Sequence, residues 1–218
     1  MTAKTPPNRC RIVLIAPPGG ASEFEHKLSD ALAAGDVASI ILPPYAMDEA
    51  TFQSIAERVV PLAQERGVAA IVGGDSRIAV RVGADGIHVE GGKQALADMI
   101  DRMQDKLMVG AGGAKSRDDA LELGQERPDY MFFGRFGYDT QPEPHRRNLA
   151  LGSWWAEMIE IPCIVLAGSS IESVEACAAT GAEFVGLSNA IFADGVDAAE
   201  AVARANRLLD ETAPRFET

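Results

Sequence analysis

Short apolar runs recur along the chain, and each is followed by a turn and then by a segment with helical spacing of its apolar residues. The runs are rich in Val, Ile, Leu and Phe and show little alternation with polar residues. Such runs are typical of strands that are buried on both faces of a parallel sheet. The pattern predicts eight strands, at residues 11–16, 37–42, 68–72, 86–89, 107–109, 130–133, 161–167 and 184–187.

The intervening segments predict eight helices, several of which are followed by a glycine. Asp48 and Asp75 stand just before two of these helices and are candidate N-caps. Strands alternating with helices in this way indicate an α/β fold, a single (β/α)8 TIM barrel over residues 10–212. Flexible tails are expected at residues 1–9 and 213–218. An open Rossmann-type sheet is the alternative, but no GxGxxG sequence follows the first predicted strand.

Composition excludes several classes of partner. The chain has 218 residues, a formal net charge of −12 and a pI of about 4.7, so nucleic acid is not an expected partner. No apolar run approaches the ~20 residues of a membrane span, and the polar N-terminus lacks the apolar segment of a signal peptide. Cys10, Cys163 and Cys177 match no metal-binding or disulfide pattern. Reduced thiols in a cytoplasmic protein without a membrane partner are therefore expected.

Small polar residues stand where the last two predicted strands end. Gly168 and Ser169 follow strand seven, and Ser188 and Asn189 follow strand eight. Backbone N–H groups at the start of a helix are unpaired and attract anions, and these two loops of a TIM barrel often bind phosphate. The four residues are therefore predicted to bind a phosphorylated small molecule. Gly and Ser are also ordinary turn residues, so the pattern alone leaves a structural role open.

Three segments together carry a family resemblance: residues 82–91 (VGADGIHVEG), 129–140 (DYMFFGRFGYDT) and 161–192. They resemble the strand-four segment, the sixth strand with its loop, and the final two units of thiamine phosphate synthases and their sister group, the thiazole tautomerases. The resemblance implies a TIM barrel that couples hydroxymethylpyrimidine diphosphate with thiazole phosphate, releases diphosphate and uses Mg²⁺. It places the phosphate site at the ends of strands seven and eight and is compatible with a homodimer.

The sequence departs from the family at the positions that the resemblance implies for the metal. In an ungapped alignment, the family's Asn-Asp pair after strand three falls on Gly73 and Gly74, and its metal-binding Asp after strand four falls on Lys93. Neither glycine nor an ammonium group supplies the oxygen ligands that Mg²⁺ requires. The family's metal site is therefore expected to be absent, and Asp75 and Glu90 are only weak candidates for a shifted one.

Other departures concern groups that act on the substrates. The family's Ser after strand five falls on Gly112, its Lys in the sixth loop has no counterpart within residues 140–143, and the first Gly of its IGGI segment is Ala167. The general acid–base His of the tautomerases lies just after strand six, where this chain has Arg135. A guanidinium group does not exchange protons near neutral pH, but it binds phosphate well.

Further pocket candidates lie near the predicted strand ends. They are Gly73, Gly74, Asp75, Glu90, Lys115, Arg135 and His145. Lys115 and Arg135 could contact an anion, His145 could close over it, and the two glycines would leave space in the mouth of the barrel. Solvated loop charges and helix caps are the plain alternatives. His88 in strand four is expected to be a packed core residue rather than a catalyst.

These observations leave three functions open. The first is a thiamine phosphate synthase with a relocated Mg²⁺ site, and the second is a non-catalytic or diverged paralogue that binds a phosphate ligand or regulates. The third is another phosphate-handling TIM-barrel isomerase, which needs a proton-transfer group at the mouth. Glu90 and His145 are the only candidates that the sequence offers for that role.

Overall fold

The computed structural model describes residues 6–19 and 22–216, and within them eight parallel strands close into one barrel in chain order. The strands are β1 (Arg11–Ile15), β2 (Val37–Leu42), β3 (Ala69–Gly73), β4 (Gly86–Val89), β5 (Met108–Ala111), β6 (Tyr130–Phe133), β7 (Cys163–Leu166) and β8 (Phe184–Leu187). The ring closes because β8 pairs in parallel with β1. The prediction of a TIM barrel is confirmed.

Helices alternate with the strands around the outside of the barrel. They are α1 (Ser22–Ala33), α2 (Glu49–Gln64), α3 (Ser76–Arg81), α4 (Gly92–Met103), α5 (Arg117–Gly124), α6 (Arg146–Met158), α7 (Ser173–Ala178), α8 (Asn189–Phe192) and α9 (Ala198–Thr212). Asp48 and Asp75 cap α2 and α3 as predicted, accepting hydrogen bonds from the backbone N–H groups of Thr51 and Arg77. Within the described ranges, no helix is long and apolar enough to cross a membrane.

Four strands have the predicted bounds, and β7 is the clearest difference. It was expected over residues 161–167 but begins at Cys163. The carbonyl of Ile161 accepts a hydrogen bond from the indole N–H of Trp155 at 2.7 Å, so this residue anchors α6 instead of extending the strand. Trp155 itself is fully buried against Phe133.

The core has two layers, because alternate strand residues face opposite sides of the barrel wall. The outer layer joins strand residues such as Ile12 and Leu14 to the apolar faces of the helices. The inner layer fills the barrel, and its buried members are Val13, Ile15, Ile41, Ile71, Tyr130, Phe132, Ile164 and Leu166. A filled interior confines any site for a small molecule to the rim, where the strands end.

A carboxylate stands immediately before each even-numbered strand and binds the preceding odd-numbered strand. Asp85 accepts from the backbone N–H of Ala70 at 2.8 Å, Asp129 from that of Val109 at 2.6 Å and Glu183 from that of Cys163 at 2.9 Å. The fourth, Asp36, instead accepts from two guanidinium nitrogens of Arg11, Nε and Nη2, at 2.9 and 2.8 Å. These contacts fix neighbouring strands in register at the end of the barrel opposite the rim.

The packed part of the chain begins one residue earlier than expected. Arg9 was predicted to belong to the flexible tail, but it is only 2% exposed. Its guanidinium group donates to Asp210 and Asn206 of α9 at 2.7 and 3.0 Å. At the other end Ala213 is also buried, although the barrel was predicted to end at residue 212. The rest of both predicted tails falls partly on residues 1–5 and 217–218, which lie outside the described residues.

The strand-linking carboxylates can be tested at Asp129. Asp129→Ala should lower the free energy of unfolding by about 1–3 kcal/mol, because the buried N–H of Val109 loses its acceptor. Asp129→Asn retains an acceptor oxygen and should lose much less. Urea denaturation of the wild type and both variants measures the difference. An equal loss in both variants would show that the charge, and not the hydrogen bond, is what matters.

Candidate functional site

Three ionisable side chains gather on the rim at the C-terminal ends of the strands. The hydroxyl of Tyr45, in the β2–α2 loop, donates to the carbonyl of Ala16 at 2.7 Å. Burial raises the pKa of Tyr45 above its usual range, and the negative charges of Asp139 and Glu90 raise it further. Two carboxylates from different loops therefore lie close enough to one phenol for their charges to act on it.

Glu90 follows β4 and carries the most accessible of these charges. Partial burial raises the pKa of Glu90, although the residue as a whole is exposed, and the positive charge of Arg135 lowers it. The guanidinium carbon of Arg135 lies 3.7 Å from the ring centre of Tyr138, a stacking arrangement that holds this flexible side chain. The structure thus brings together Glu90 and Arg135, two of the predicted pocket candidates.

His88 lies inside the barrel beneath this rim and is 2% exposed. Its Nδ1 is 2.9 Å from the hydroxyl oxygen of Tyr130, and its ring packs against those of Phe132 and Phe136. Burial lowers the pKa of His88 to about 3, so the imidazole is neutral at physiological pH. The interpretation of His88 as a packed core residue is confirmed.

Gly112 leaves room for both His88 and Glu90. A Cβ atom at this position would lie 2.7 Å from Nε2 of His88 and 3.4 Å from Oε1 of Glu90. Among the described residues, Nε2 of His88 has no hydrogen-bond partner. The glycine that replaces the family's Ser is therefore needed by the histidine as it is oriented here, and any side chain would have to displace that ring.

The sequence suggested that the backbone N–H groups at the end of β7 are unpaired, but they are hydrogen-bonded. The N–H of Gly168 donates to Oγ of Ser173 at 3.0 Å. The N–H groups of Ser169 and Ser170 donate to the carbonyls of Gln141 and Pro142 at 2.7 and 3.2 Å. The expectation of unpaired donors is therefore wrong here: the β6–α6 loop, residues 134–145, folds across them.

The same loop also covers the end of β8. Asp139 is 4% exposed, and its carboxylate accepts from the backbone N–H of Asn189 at 2.7 Å and from the side-chain amide of Asn189 at 3.1 Å. Burial raises the pKa of Asp139, and the hydrogen bonds from Asn189 offset only part of this rise. Ser188, the neighbour of Asn189, is buried, and its Oγ has no partner among the described residues.

A cavity of about 400 Å³ opens beside Asn189, between α1 and the end of β8. Pro17, Pro18, Glu23, Phe24, Lys27, Asn189, Phe192, Ala193 and Asp194 line it. The ammonium group of Lys27 donates to the carbonyls of Phe192 and Ala193 at 3.4 and 2.9 Å, which places a positive charge on this wall. Its volume lies in the range of small-molecule pockets.

Two of the remaining candidates, Asp75 and His145, cap helices. The Asp75 carboxylate caps α3 and pairs with the guanidinium group of Arg77 at 2.5 Å. Ring nitrogen Nδ1 of His145 accepts from the N–H of Arg147 at 3.2 Å, which makes His145 the N-cap of α6. Lys115 is exposed just before α5. The extra space expected at Gly73 is filled, since a Cβ there would lie 2.9 Å from Pro44, and Gly74 also faces this ring.

The described residues do not fit the Mg²⁺ that the family resemblance implies. Lys93, where the family resemblance implies a metal ligand, donates to Oε1 of Gln125 at 3.0 Å and is 3.6 Å from the carboxylate of Glu126. Within residues 6–19 and 22–216, no group of three or more His, Cys, Asp or Glu side chains is arranged to hold a metal ion. Asp75 is held by Arg77, so it offers no obvious replacement.

Sequence reasoning did not single out Asp139 or Tyr45. Both stand in loops, and neither belongs to a periodic pattern, although Asp139 lies in the 129–140 segment that carries the family resemblance. The role of Asp139 depends on its hydrogen bonds with Asn189, which lies 50 residues further along the chain.

The neutral state of His88 predicts a dependence of stability on pH. The unfolded chain binds a proton at this histidine below about pH 6.5, while the folded protein does not until about pH 3. The free energy of unfolding should therefore fall as pH decreases below about 6.5, by up to about 1.4 kcal/mol per pH unit. Denaturation at about pH 7.5, 6.5 and 5.5 should show that the free energy of unfolding of His88→Gln depends less steeply on pH than that of the wild type. His26→Gln, at an exposed position, is the control and should retain the wild-type slope.

The packing of the β6–α6 loop can be tested at Gly168. A Cβ atom there would overlap the carbonyl of Pro142, so Gly168→Ala should push the loop outward and cost about 1–3 kcal/mol of stability. Trypsin should then cleave faster at Arg135. The control is Ser169→Ala, which keeps every backbone contact of this turn. Wild-type stability and cleavage in Gly168→Ala would show that the loop is not held against β7.

Comparison with known proteins identifies the family. A family model described as thiamine monophosphate synthase matches residues 12–191. A thiamine-phosphate synthase of Rhodospirillum centenum is 33% identical over 203 residues, covering 92% of this chain and 98% of that protein, and one of Hyphomonas neptunium is 29% identical over 95% and 97%. The solved thiamine phosphate pyrophosphorylase of Pyrococcus furiosus has the same fold, with a TM-score of 0.78 at 18% identity over 94% of this chain and 98% of that chain. The chain belongs to the thiamine monophosphate synthase family.

Proposed function

We propose that this protein acts in thiamine biosynthesis by binding a phosphorylated thiazole at the rim of its barrel. We further propose that its own side chains do not support the Mg²⁺-dependent coupling to the pyrimidine diphosphate. One observation supports the second part. Lys93, where the family resemblance implies a metal ligand, is bound to Gln125 and Glu126 just after α5. The function is therefore that of a diverged, ligand-binding member of the family.

Charge balance explains why the metal matters. Departure of diphosphate concentrates negative charge on the leaving group, and a hard cation with carboxylate ligands normally neutralises it. Arg135 carries a positive charge at this rim, but that charge is attracted to the Glu90 carboxylate, and the guanidinium group stacks on Tyr138. A carboxylate that offsets the guanidinium charge leaves less of it for a diphosphate.

The thiazole phosphate side of the proposal rests on the ends of β7 and β8. The N–H groups of Ser169, Ser170 and Asn189 all bind oxygen acceptors of one loop, so they converge on a common region. The cavity beside Asn189 has the volume for a small phosphorylated molecule. Lys27 adds a positive charge to its wall, which also carries the carboxylates of Glu23 and Asp194. Backbone donors and one cation are the usual means of binding a phosphate monoester.

An active synthase is the second candidate. Its support is the family match over residues 12–191 and the 33% identity to a relative of that name. Glu90 stands after β4 with a raised pKa and could take part in chemistry at the rim. This candidate requires a metal site different from the one that the family resemblance implies.

We place the protein in the cytoplasm, as expected from its cysteines. Cys10, Cys163 and Cys177 are all buried free thiols, and burial raises the pKa of each, that of Cys10 to about 12. Protonated, buried thiols are compatible with a reducing compartment.

A coupling assay combined with calorimetry tests the proposal. Purified protein is mixed with hydroxymethylpyrimidine diphosphate, thiazole phosphate and Mg²⁺, and thiamine phosphate is measured by mass. The Rhodospirillum centenum relative serves as the positive control and a chelator as the negative one. We expect no product above the chelator background, together with saturable binding of thiazole phosphate in the calorimeter.

The outcomes separate the two candidates. Chelator-sensitive product would replace the binding proposal by the synthase and would direct mutagenesis to Glu90. Absence of both product and thiazole phosphate binding would contradict both candidates.

A further inference from the structure

Asp139 makes the contacts that an anionic ligand would make at the end of β8. One carboxylate oxygen accepts from the backbone N–H of Asn189 at 2.7 Å, and the other accepts from the Asn189 side-chain amide at 3.1 Å. The same amide also donates to the carbonyl of Asp139 at 3.2 Å. A phosphate oxygen placed here would need these donors, and two anions cannot share them without strong repulsion.

Asp139 is not an isolated contact, because the next residues of the loop occupy the donors of β7. Gln141 and Pro142 accept from Ser169 and Ser170 through their carbonyls. Gly168 permits this close approach, since any Cβ there would overlap the carbonyl of Pro142. One short segment, residues 139–142, therefore covers the ends of both strands.

A buried, unused polar group marks the same turn as an incomplete site. Ser188 is 2% exposed, and its Oγ has no hydrogen-bond partner among the described residues. It directly precedes Asn189, whose donors face Asp139. Buried hydroxyl groups are normally satisfied, so this turn has more hydrogen-bonding capacity than the loop uses.

We propose that Asp139 is a specificity-determining residue, which occupies the anion position at the end of β8 and must be displaced before a phosphate group binds there. This inference rests on the proposed function, since it concerns access to the same phosphate site. Segment 139–142 acts as a latch: while it is closed, the rim admits no phosphate at β7 and β8. A phosphorylated ligand pays for opening with part of its binding energy, so its apparent affinity is reduced.

Variants of Asp139 test the latch by calorimetric titration with inorganic phosphate and with thiazole phosphate. Asp139→Ala removes the competing anion and should tighten binding of both ligands by about tenfold or more. Asp139→Asn places an amide donor against one of the two donors of Asn189, which weakens the latch while keeping its shape, and should give an intermediate gain. Glu143→Gln is the control, because it removes one negative charge from an exposed position of the same loop. Its affinities should stay within about twofold of the wild type.

A second measurement reports the position of the loop. Phosphate should increase tryptic cleavage at Arg135 in the wild type, because binding requires an open latch. Circular dichroism and thermal melts verify that each variant is folded, and Asp139→Asn provides the test if Asp139→Ala does not fold.

The outcomes distinguish this inference from the proposed function. Equal binding of thiazole phosphate by wild type and Asp139 variants would overturn the latch and leave the proposed function intact. Binding by the variants alone would support the latch and show that the wild type is not a phosphate binder. Absence of binding in every folded variant would overturn both the latch and the proposed function. If Glu143→Gln gained as much affinity as Asp139→Ala, the effect would be general electrostatics, and the latch would be overturned.

Discussion

The pairing of β8 with β1 is the constraint on which the rest of the structure depends. It joins strands that are more than 170 residues apart, in a parallel register from Arg11–Phe184 to Leu14–Leu187. A closed ring of parallel strands has no exposed edge, and it directs the C-terminal end of every strand to one rim. The β1–α1 loop, the β6–α6 loop and the ends of β7 and β8 meet there for this reason alone. The candidate site therefore depends on closure of the barrel and on the β6–α6 loop, which is long enough to reach the ends of β7 and β8.

The strands and caps were predictable because the physics that forms them is local. The runs at 37–42, 86–89, 130–133 and 184–187 became strands with the predicted bounds, and Asp48 and Asp75 capped the helices that they precede. The site was predictable only in part. Glu90 and Arg135 were placed on the rim and do interact, but the donors at Ser169 and Asn189 proved to be occupied. Their acceptors lie in a loop without regular structure, and a turn pattern gives no information about how such a loop folds back.

Three polar side chains make specific contacts within the chain without altering the barrel. His88 is held neutral among aromatic rings, Asp139 is held under the rim by Asn189, and Lys93 connects α4 to the end of α5. None of these contacts requires a change in the barrel, whose inner layer contains a hydrophobic cluster together with the hydrogen-bonded pair Tyr130 and His88. Loops on a rigid scaffold can exchange ligand contacts for contacts within the chain, and the strands remain unaffected.

The carboxylates at the opposite end of the barrel divide the ring into four two-stranded units. Asp36 links β2 to β1, Asp85 links β4 to β3, Asp129 links β6 to β5, and Glu183 links β8 to β7. Every such link lies inside a contiguous stretch of chain. Between units, the wall is held by the strand ladder, by helix packing and, at the rim, by the hydrogen bonds of the β6–α6 loop to the ends of β7 and β8. A circularly permuted chain opened between β2 and β3, β4 and β5, or β6 and β7 would therefore keep all four links within unbroken segments, whereas an opening inside a unit would make one of them span the new termini.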